Sequence, residues 1–452
     1  MAMLSPLDQF LQDNPDIEIF EVILHDLNAV HRGKWLPREQ IAKVFEGGYK
    51  MPQNTCSLDI WGRDLEELVA DSGDADGVCK PHPETLARVP WADRPTGQLI
   101  VSMGSFNGES HYGGDPRVVL ENLLARFKAL GLAPVVASEM EFHLFELDRD
   151  QFGKPQHSQS ALDGSPALGG QTYGLEAMRR TAPLMDAISE AARIQNLPVD
   201  TLITEFGPSQ FEINLYHQDC ALRACDQGSM LKRAIRNVSH NHGKVASFMA
   251  KPFAEQVGNG MHIHFSLLDD QGNNVFDNGT EQGSELLNHA VAGCLETMAD
   301  CMAIFAPNIN SFRRMVPGCY APLAPNWGYE NRTVAIRVPG GNPKARRIEH
   351  RVAGGDVNPY LLLSAVLGAA LDGIAQKLTP PAPVTGNAYA LDAPELPATW
   401  QDALDVFQTD PAVVRIFPKA LINNMAMTKR QEIGEVATLS EEERIALYLE
   451  FL

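Results

Sequence analysis

The chain has 452 residues, 44% of them hydrophobic and 21% charged, which suits a folded globular protein and excludes a disordered or fibrous one. That length exceeds one ordinary core and predicts two domains, one of them large. A formal charge of −20 and a pI near 5.1 argue against a general nucleic-acid or anionic-membrane partner, because phosphate would be repelled. Seven cysteines form no Cys-x-x-Cys pair, which fits buried thiols in a reducing cytoplasm. Met1 to Gln12 lacks the basic start and apolar run of a signal peptide. The longest strongly apolar window, Tyr360 to Ala370, falls short of the ~20 residues that span a bilayer. A soluble, cytoplasmic protein is the expectation.

In chain order, residues 17–24 predict a strand, Arg32-Gly33-Lys34 a turn, and Leu58 to Gly62 and Leu99 to Met103 two further strands. A boundary is predicted near Gly113, separating a small mixed domain over 16–112 from a large α+β domain over 113–452. The helix that opens the second domain is fully punctuated. Asp115 is placed as N-cap, Pro116 at the first helical position and Gly131 at the far end, with Leu120, Leu123, Leu124, Phe127 and Leu130 on one face. Residues 151–174 read as an exposed loop. Helices are predicted over 182–196, 222–242, 285–305 and 359–376, and a capping box, Ser440 to Glu443, opens a last helix.

Four predicted strands share one peculiarity. Residues two apart on a strand point to the same side. That rule puts Glu139, Glu141 and His143 on one face, Glu212 and Asn214 on another, His262, His264 and Ser266 on a third, and Arg347, Glu349 and Arg351 on a fourth. A single such strand is more simply a wet face of an antiparallel sheet. Four of them inside an apolar domain point to a shared cavity. Glu139, Glu141, Glu205, Glu212 and Glu349 with His262 would repel one another without cations. Oxygen-rich ligands with one imidazole suit two Mg²⁺ or Mn²⁺ ions better than zinc. Between Arg313 and Arg351 eight basic residues face two acidic ones, a local anion site within an acidic chain, some of it ordinary solvated surface. No GxxxxGK[ST] occurs, so a P-loop is excluded. Divalent cations beside an arginine cluster point to phosphoryl transfer from a nucleotide.

Glu139-x-Glu141, Glu205-Phe-Gly-Pro-Ser-Gln-Phe-Glu212, Gly258-Asn-Gly-Met-His262-Ile-His264, Asn331-Arg332, Arg337 and Pro343-Lys-Ala-Arg-Arg-Ile-Glu349-His-Arg351 resemble, in order, the motifs of class I glutamine synthetases. The resemblance runs from about residue 16 nearly to the end. It implies a β-grasp-like N-terminal domain, a catalytic domain whose antiparallel sheet forms part of a barrel between subunits, and a double-ring dodecamer. It also implies roles. Glu141, Glu205 and Glu212 match the ligands of one metal, and Glu139, His262 and Glu349 those of the other. Arg332, Arg337 and Lys344, assisted by Arg347, match ATP-phosphate contacts, and His264 and Ser266 fall in a nucleotide-contacting stretch. Gly258, Arg314 and Arg351 match glutamate-binding positions, although Val257 stands where a typical member has Asn.

Two departures bear on the second substrate. The family's loop Val-Pro-Gly-Tyr-Glu-Ala-Pro carries a Glu that helps hold ammonium; here it reads Val316-Pro-Gly-Cys319-Tyr320-Ala-Pro322, with Tyr320 at the Glu position. The ammonium-binding Asp-Gly-Ser-Ser is replaced by Met51-Pro-Gln-Asn-Thr55. A site that must deprotonate a small cation needs carboxylates. Losing both disfavours ammonium and leaves room for an alkyl amine. With Asn28 to Trp35, these features are similar to γ-glutamylpolyamine (γ-glutamylputrescine) synthetases. The resemblance therefore implies an ATP-dependent ligase joining the γ-carboxylate of L-glutamate to putrescine or a related primary amine through a γ-glutamyl phosphate, in polyamine catabolism. Arg337, Arg351 and Tyr320 are expected to act in catalysis and Tyr320 also to contact the amine, with 307–331 as a partial lid. A glutamine synthetase using ammonia, and a non-catalytic oligomer retaining the fold, stay open as alternatives.

Overall fold

The computed structural model describes residues 4–167, 169–392 and 395–452. Two sheets carry the architecture. The first contains β1 (Ile19–His25), β2 (His31–Pro37), β3 (Lys50–Pro52), β4 (Asp76–Pro81), β5 (Ala87–Arg88) and β6 (Thr96–Met103), in the order β2-β1-β6-β4-β3 with β5 also on β6. Strand β6 is buried at every position and β1 runs parallel to it, so these two form the centre. Phe20, Val22, Leu24, Leu99 and Val101 build a core of their own there.

Arg32-Gly33-Lys34 is not a turn. It lies inside β2, where Gly33 faces Ile23 of β1, and a Cβ at Gly33 would come within 1.8 Å of the Val22 carbonyl oxygen. Glycine is there for a close strand approach, and the reversal comes earlier, where Ala29 has φ +59°. Leu58 to Gly62 is not a strand either. The Asp59 side chain accepts the backbone N–H groups of Trp61 and Arg63, folding the segment into an Asx turn.

The second sheet has nine strands: β7 (Leu132–Arg149), β8 (Pro155–His157), β9 (Val199–Thr204), β10 (Gln210–Leu215), β11 (Lys244–Ser247), β12 (Met261–Asp269), β13 (Trp327–Tyr329), β14 (Ile336–Val338) and β15 (Ile348–His350). Its order is β13-β14-β15-β12-β7-β10-β9, curling into a half-barrel, with β8 and β11 on the far half of β7. The predicted strand at 347–352 is thus shorter, confined to β15. Helices back the sheet, among them Pro116–Ala129, Ala182–Ile194, Ala221–Asn241, Glu285–Glu296 and Pro359–Gln376. The Asp115 N-cap and the Ser440–Glu443 capping box form as expected.

The helix expected over 285–305 breaks after Glu296. There the Thr297 hydroxyl donates to the Gly293 carbonyl and the Met298 N–H shifts to Leu295, tightening the turn. Helix Pro359–Gln376 is long and apolar enough to cross a membrane by length and composition, but 83% of it is buried within the fold. Buried Arg117 joins three helices: it donates two hydrogen bonds of 2.9 Å to the Asp226 carboxylate, which also accepts the Tyr360 hydroxyl at 2.7 Å.

Candidate active site

Strand register assembles the polar faces. Glu212 on β10 sits opposite Glu141 on β7, and Asn214 opposite Glu139. On the other side of β7, Glu139 pairs with His262 of β12; next along, His264 pairs with Glu349 of β15, which pairs with Arg337 of β14. A continuous row of carboxylates, imidazoles and a guanidinium therefore crosses five strands. The alternation is what the sequence requires, because the intervening Met140, Phe142, Ile213, Met261, Ile263 and Ile348 all point into the apolar core.

Within this row, ligand atoms of Glu139, Glu212 and His262 lie within 4.8 Å of one another, and so do those of Glu139, His264 and Glu349. His264, which the sequence reading gave to the nucleotide, is thus brought beside Glu139 at 2.8 Å, closer than His262 at 3.2 Å. Glu349 lies between two guanidinium groups, Arg337 at 2.6 Å and Arg351. Glu141 accepts the Gly260 N–H at 2.7 Å and the Gln210 amide at 3.3 Å.

The electrostatics divide these carboxylates. Burial, together with the charges of Glu139, Glu141 and Glu205, pushes Glu212 up to about 9. Burial and Glu141 push Glu205 up to about 7, Arg332 opposing. Glu349 is also buried, but Arg351 and the two histidines outweigh that and bring it down to about 2. Burial works against ionised Glu139 too, yet hydrogen bonds from His262 and His264 hold it well below the usual carboxylate range. Carboxylates pushed up by their own neighbours are a donor set short of positive charge. Hard divalent cations fit them: the donors are mostly oxygen and imidazole completes the set.

Two cavities meet at Glu139 and Asn214. One, of about 580 Å³, is lined by His264, Ser266, Lys344 and Arg347, a large share of the residues expected to contact the nucleotide. The other, of about 490 Å³, holds Glu141, Glu205, Glu212, His262, Gly258, Arg314, Arg351 and Tyr320. Arg332 lines this second cavity and not the first, while Arg337 lines neither and faces Glu349 and Glu330. Arg313 turns out to Glu441, and Arg346 is buried on backbone carbonyls, so both belong to the structural share of the basic cluster. Among the described residues, none of 51–55 lines either cavity.

Arg314 is fixed by the fold. It is 3% exposed and donates to the Val352 carbonyl at 2.8 Å. A Cβ on Gly258 would meet the Ala250 carbonyl oxygen at 1.9 Å and the Arg314 side chain at 3.2 Å, so only glycine lets this loop pass. Much of the expected lid is equally fixed. Asn308 and Ser311 bond Asp356, and Asn310 clamps the backbone of Lys251 on both sides. Val316 to Gly318 and Tyr320 stand out of this stretch, with half-buried Cys319 between them, and so, farther on, does Glu330.

Tyr320, 55% exposed with φ +54°, meets Phe206 edge to face at 6.1 Å between ring centroids. Tyr173 lines the same cavity, so three exposed aromatic rings rim its mouth. Sequence reading singled out only Tyr320. Phe206 and Gln210 stood inside a quoted motif without a role, and Tyr173 lies in a loop with no periodic signal.

Residues 113–448 match the family described as glutamine synthetase, catalytic domain. The chain belongs to the glutamine synthetase family. It is 35% identical to gamma-glutamylputrescine synthetase PuuA of Escherichia coli (strain K12), over 98% of this chain and 94% of that one. It is 32% identical to a glutamate–isopropylamine ligase of a Pseudomonas species, over 94% of each. Among solved structures it matches a GmaS/ADP complex with a TM-score of 0.83 and 28% identity, over 98% and 99% of the two chains. Glutamine synthetase-family ligases use ATP and divalent metals, in keeping with the carboxylate–histidine groups on the half-barrel.

Proposed function

We propose that this glutamine synthetase-family chain is an ATP-dependent ligase that joins the γ-carboxylate of L-glutamate to a primary alkyl amine, putrescine or another polyamine, through a γ-glutamyl phosphate. The observation that carries the reading is the pair of cavities meeting at Glu139 and Asn214, each with its own cations: Lys344 and Arg347 in one, Arg314 and Arg351 in the other. A nucleotide phosphate chain and an amino-acid carboxylate need two such pockets with one shared wall. The names of its relatives support an amine as the second substrate.

In this reading Lys344 and Arg347 hold the nucleotide phosphates, with His264 and Ser266 along the same wall, and Arg332 reaches in from the second cavity. Arg314 and the Gly258 loop seat glutamate, and Arg351 lies where the γ-carboxylate and the phosphoryl group meet. Glu141, Glu205, Glu212, Glu139, His262 and Glu349, with His264 adjoining, would hold two or more Mg²⁺ or Mn²⁺ ions, which supply charge neutralisation for the transferring phosphoryl group. Arg337 orients Glu349 and restrains it through their ion pair. The amine enters past Tyr320, Phe206 and Tyr173. Their rings can pack on its methylenes or hold its distal ammonium, where a carboxylate would favour ammonium itself. The exposed stretch 316–320 then limits access of water to the acyl phosphate. Residues 16–112 are read as a β-grasp-like domain, and a double-ring dodecamer would let a neighbour complete the half-barrel.

The test is ATP turnover with glutamate, with each amine and with both, the product identified by mass. ADP formation that needs glutamate and a diamine, is abolished by EDTA and yields the γ-glutamyl amide is expected. Full turnover in excess EDTA, or ATP hydrolysis indifferent to amines, would remove the reading.

A further inference from the structure

Of the seven cysteines five are buried; only Cys220 and Cys319 are partly accessible. Cys319 stands on the exposed loop at the mouth of the second cavity, next to Tyr320. Its sulfur lies 2.8 Å from the amine nitrogen of Lys251. Lys251 is only 1% exposed, and among the described residues its amine's other hydrogen-bond acceptor is the Gln256 carbonyl. Among the described residues no carboxylate pairs with it, which is an expensive way to bury an ammonium if its purpose were structural. Its backbone is held on both sides by Asn310, and burial with the Gln256 carbonyl keeps the nitrogen itself beside the sulfur. Reactive thiols sit in electropositive, partly exposed surroundings, and those of Cys319 are of that kind.

We propose that Cys319 is an oxidative modification site whose sulfur is captured by Lys251, tying the mouth loop covalently to the segment beneath it. A hydroperoxide oxidises the thiol by two electrons to sulfenic acid and is itself reduced, giving water when it is hydrogen peroxide. Lys251 then loses one proton to solvent and its nitrogen attacks the sulfur. The S–O bond breaks, a second N–H proton leaves with the oxygen as water, and a sulfenamide S–N bond remains. Thiols reverse it: one opens the S–N bond to a mixed disulfide, and a second releases Cys319.

The tie acts on the site through geometry. Ala250, next to Lys251, accepts the Asn259 N–H and is the atom group against which Gly258 packs. Linking Cys319 to Lys251 therefore pins the Tyr320 loop onto the strand of chain that supports Gly258 and Arg314. A fixed loop slows entry of the second substrate and exit of product. That consequence rests on the ligase reading; the bond itself does not.

The experiment treats the full-length protein and its Cys319→Ser, Cys220→Ser and Lys251→Arg variants with hydrogen peroxide. Intact mass and peptide mapping are read beside activity. The protein is expected to lose two hydrogens in mass, to yield one peptide pair joined through Lys251 and Cys319, to lose turnover in parallel, and to recover both with dithiothreitol. Cys319→Ser should hold its own untreated activity under the same peroxide, and Cys220→Ser should respond like the parent. Lys251→Arg should stop at a sulfenic acid that dimedone traps. If Lys251→Arg does not fold, the mapped crosslink in the parent and its loss in Cys319→Ser still decide the matter. Oxidation without a Lys251–Cys319 peptide pair would overturn the proposal, as would equal inactivation of Cys319→Ser. A crosslink in a protein that shows no amine ligation leaves the modification standing and removes only the ligase reading.

Discussion

Glu205 and Glu212 show most directly which charge the site is built to take. Burial and their neighbours raise them to about 7 and about 9, so without a bound cation the folded protein holds protons there that the unfolded chain would release near the ordinary carboxylate range. A folded state that binds more protons than the unfolded one loses stability as pH rises. Metal-free protein prepared with a chelator should therefore lose stability as pH rises to and through those two values, and an added divalent cation should replace the protons. The rise in Tm on adding Mn²⁺ is expected to grow across that interval; a rise that shrinks with pH would contradict the assignment. Arg314 and Lys344 make a separable claim, because each lines a different cavity. Arg314→Ala should raise KM for glutamate and Lys344→Ala KM for ATP, each by roughly one to two decades, since a charge-assisted hydrogen bond is worth about 1.5–3 kcal/mol. Exchange of the two effects would mean that the pockets are assigned the wrong way round.

The elements that carry these residues were legible to different degrees. Alternation made the four polar-faced strands readable, because a strand buried on one face has only one register that keeps Met140, Phe142 and Ile263 inside. What alternation cannot supply is which strand lies beside which. Only the register brings His264 to Glu349 and Arg337, and so it escaped a reading that assigned each motif separately. Local signals misled where a residue served a distant partner. Gly33 read as a turn because nothing near it in sequence reveals the Val22 carbonyl it must clear. The Pro/Asn-rich stretch 307–331 read as a partial lid because the chemistry needs water excluded, whereas Asn308 and Asn310 are buried clamps. The helices behind the sheet depend on one such distant bond. Asp226→Ala would remove the one buried carboxylate on the Arg117 guanidinium, leaving it His82 and the half-exposed Glu84 at 3.4 Å, at a cost of up to about 3–5 kcal/mol, read as a lower urea midpoint with an unchanged slope. A loss within experimental error would show that the three helices are held by packing alone.

At the scale of the whole molecule, an acidic chain places Arg347 in one cavity of a half-barrel and Arg314, Arg332 and Arg351 in the next, and rims the second with aromatic side chains. Family membership fixes the ligase architecture, and the rim of the second cavity bears on which nucleophile enters. Ammonium has no hydrocarbon and must be drawn by negative charge; a diamine presents methylenes that Tyr320, Phe206 and Tyr173 can cover. Burying the four methylenes of putrescine at ~0.8 kcal/mol each is worth roughly a hundredfold in kcat/KM over ammonium. The measurement that bears most directly on this reading is that ratio, taken for the parent protein and for Tyr320→Glu. A ratio of roughly a hundred or more is expected for the parent, narrowed by Tyr320→Glu through both a gain with ammonium and a loss with putrescine. Efficient glutamine formation by the parent with no response to diamines, or equal loss of both activities in the variant, would contradict it.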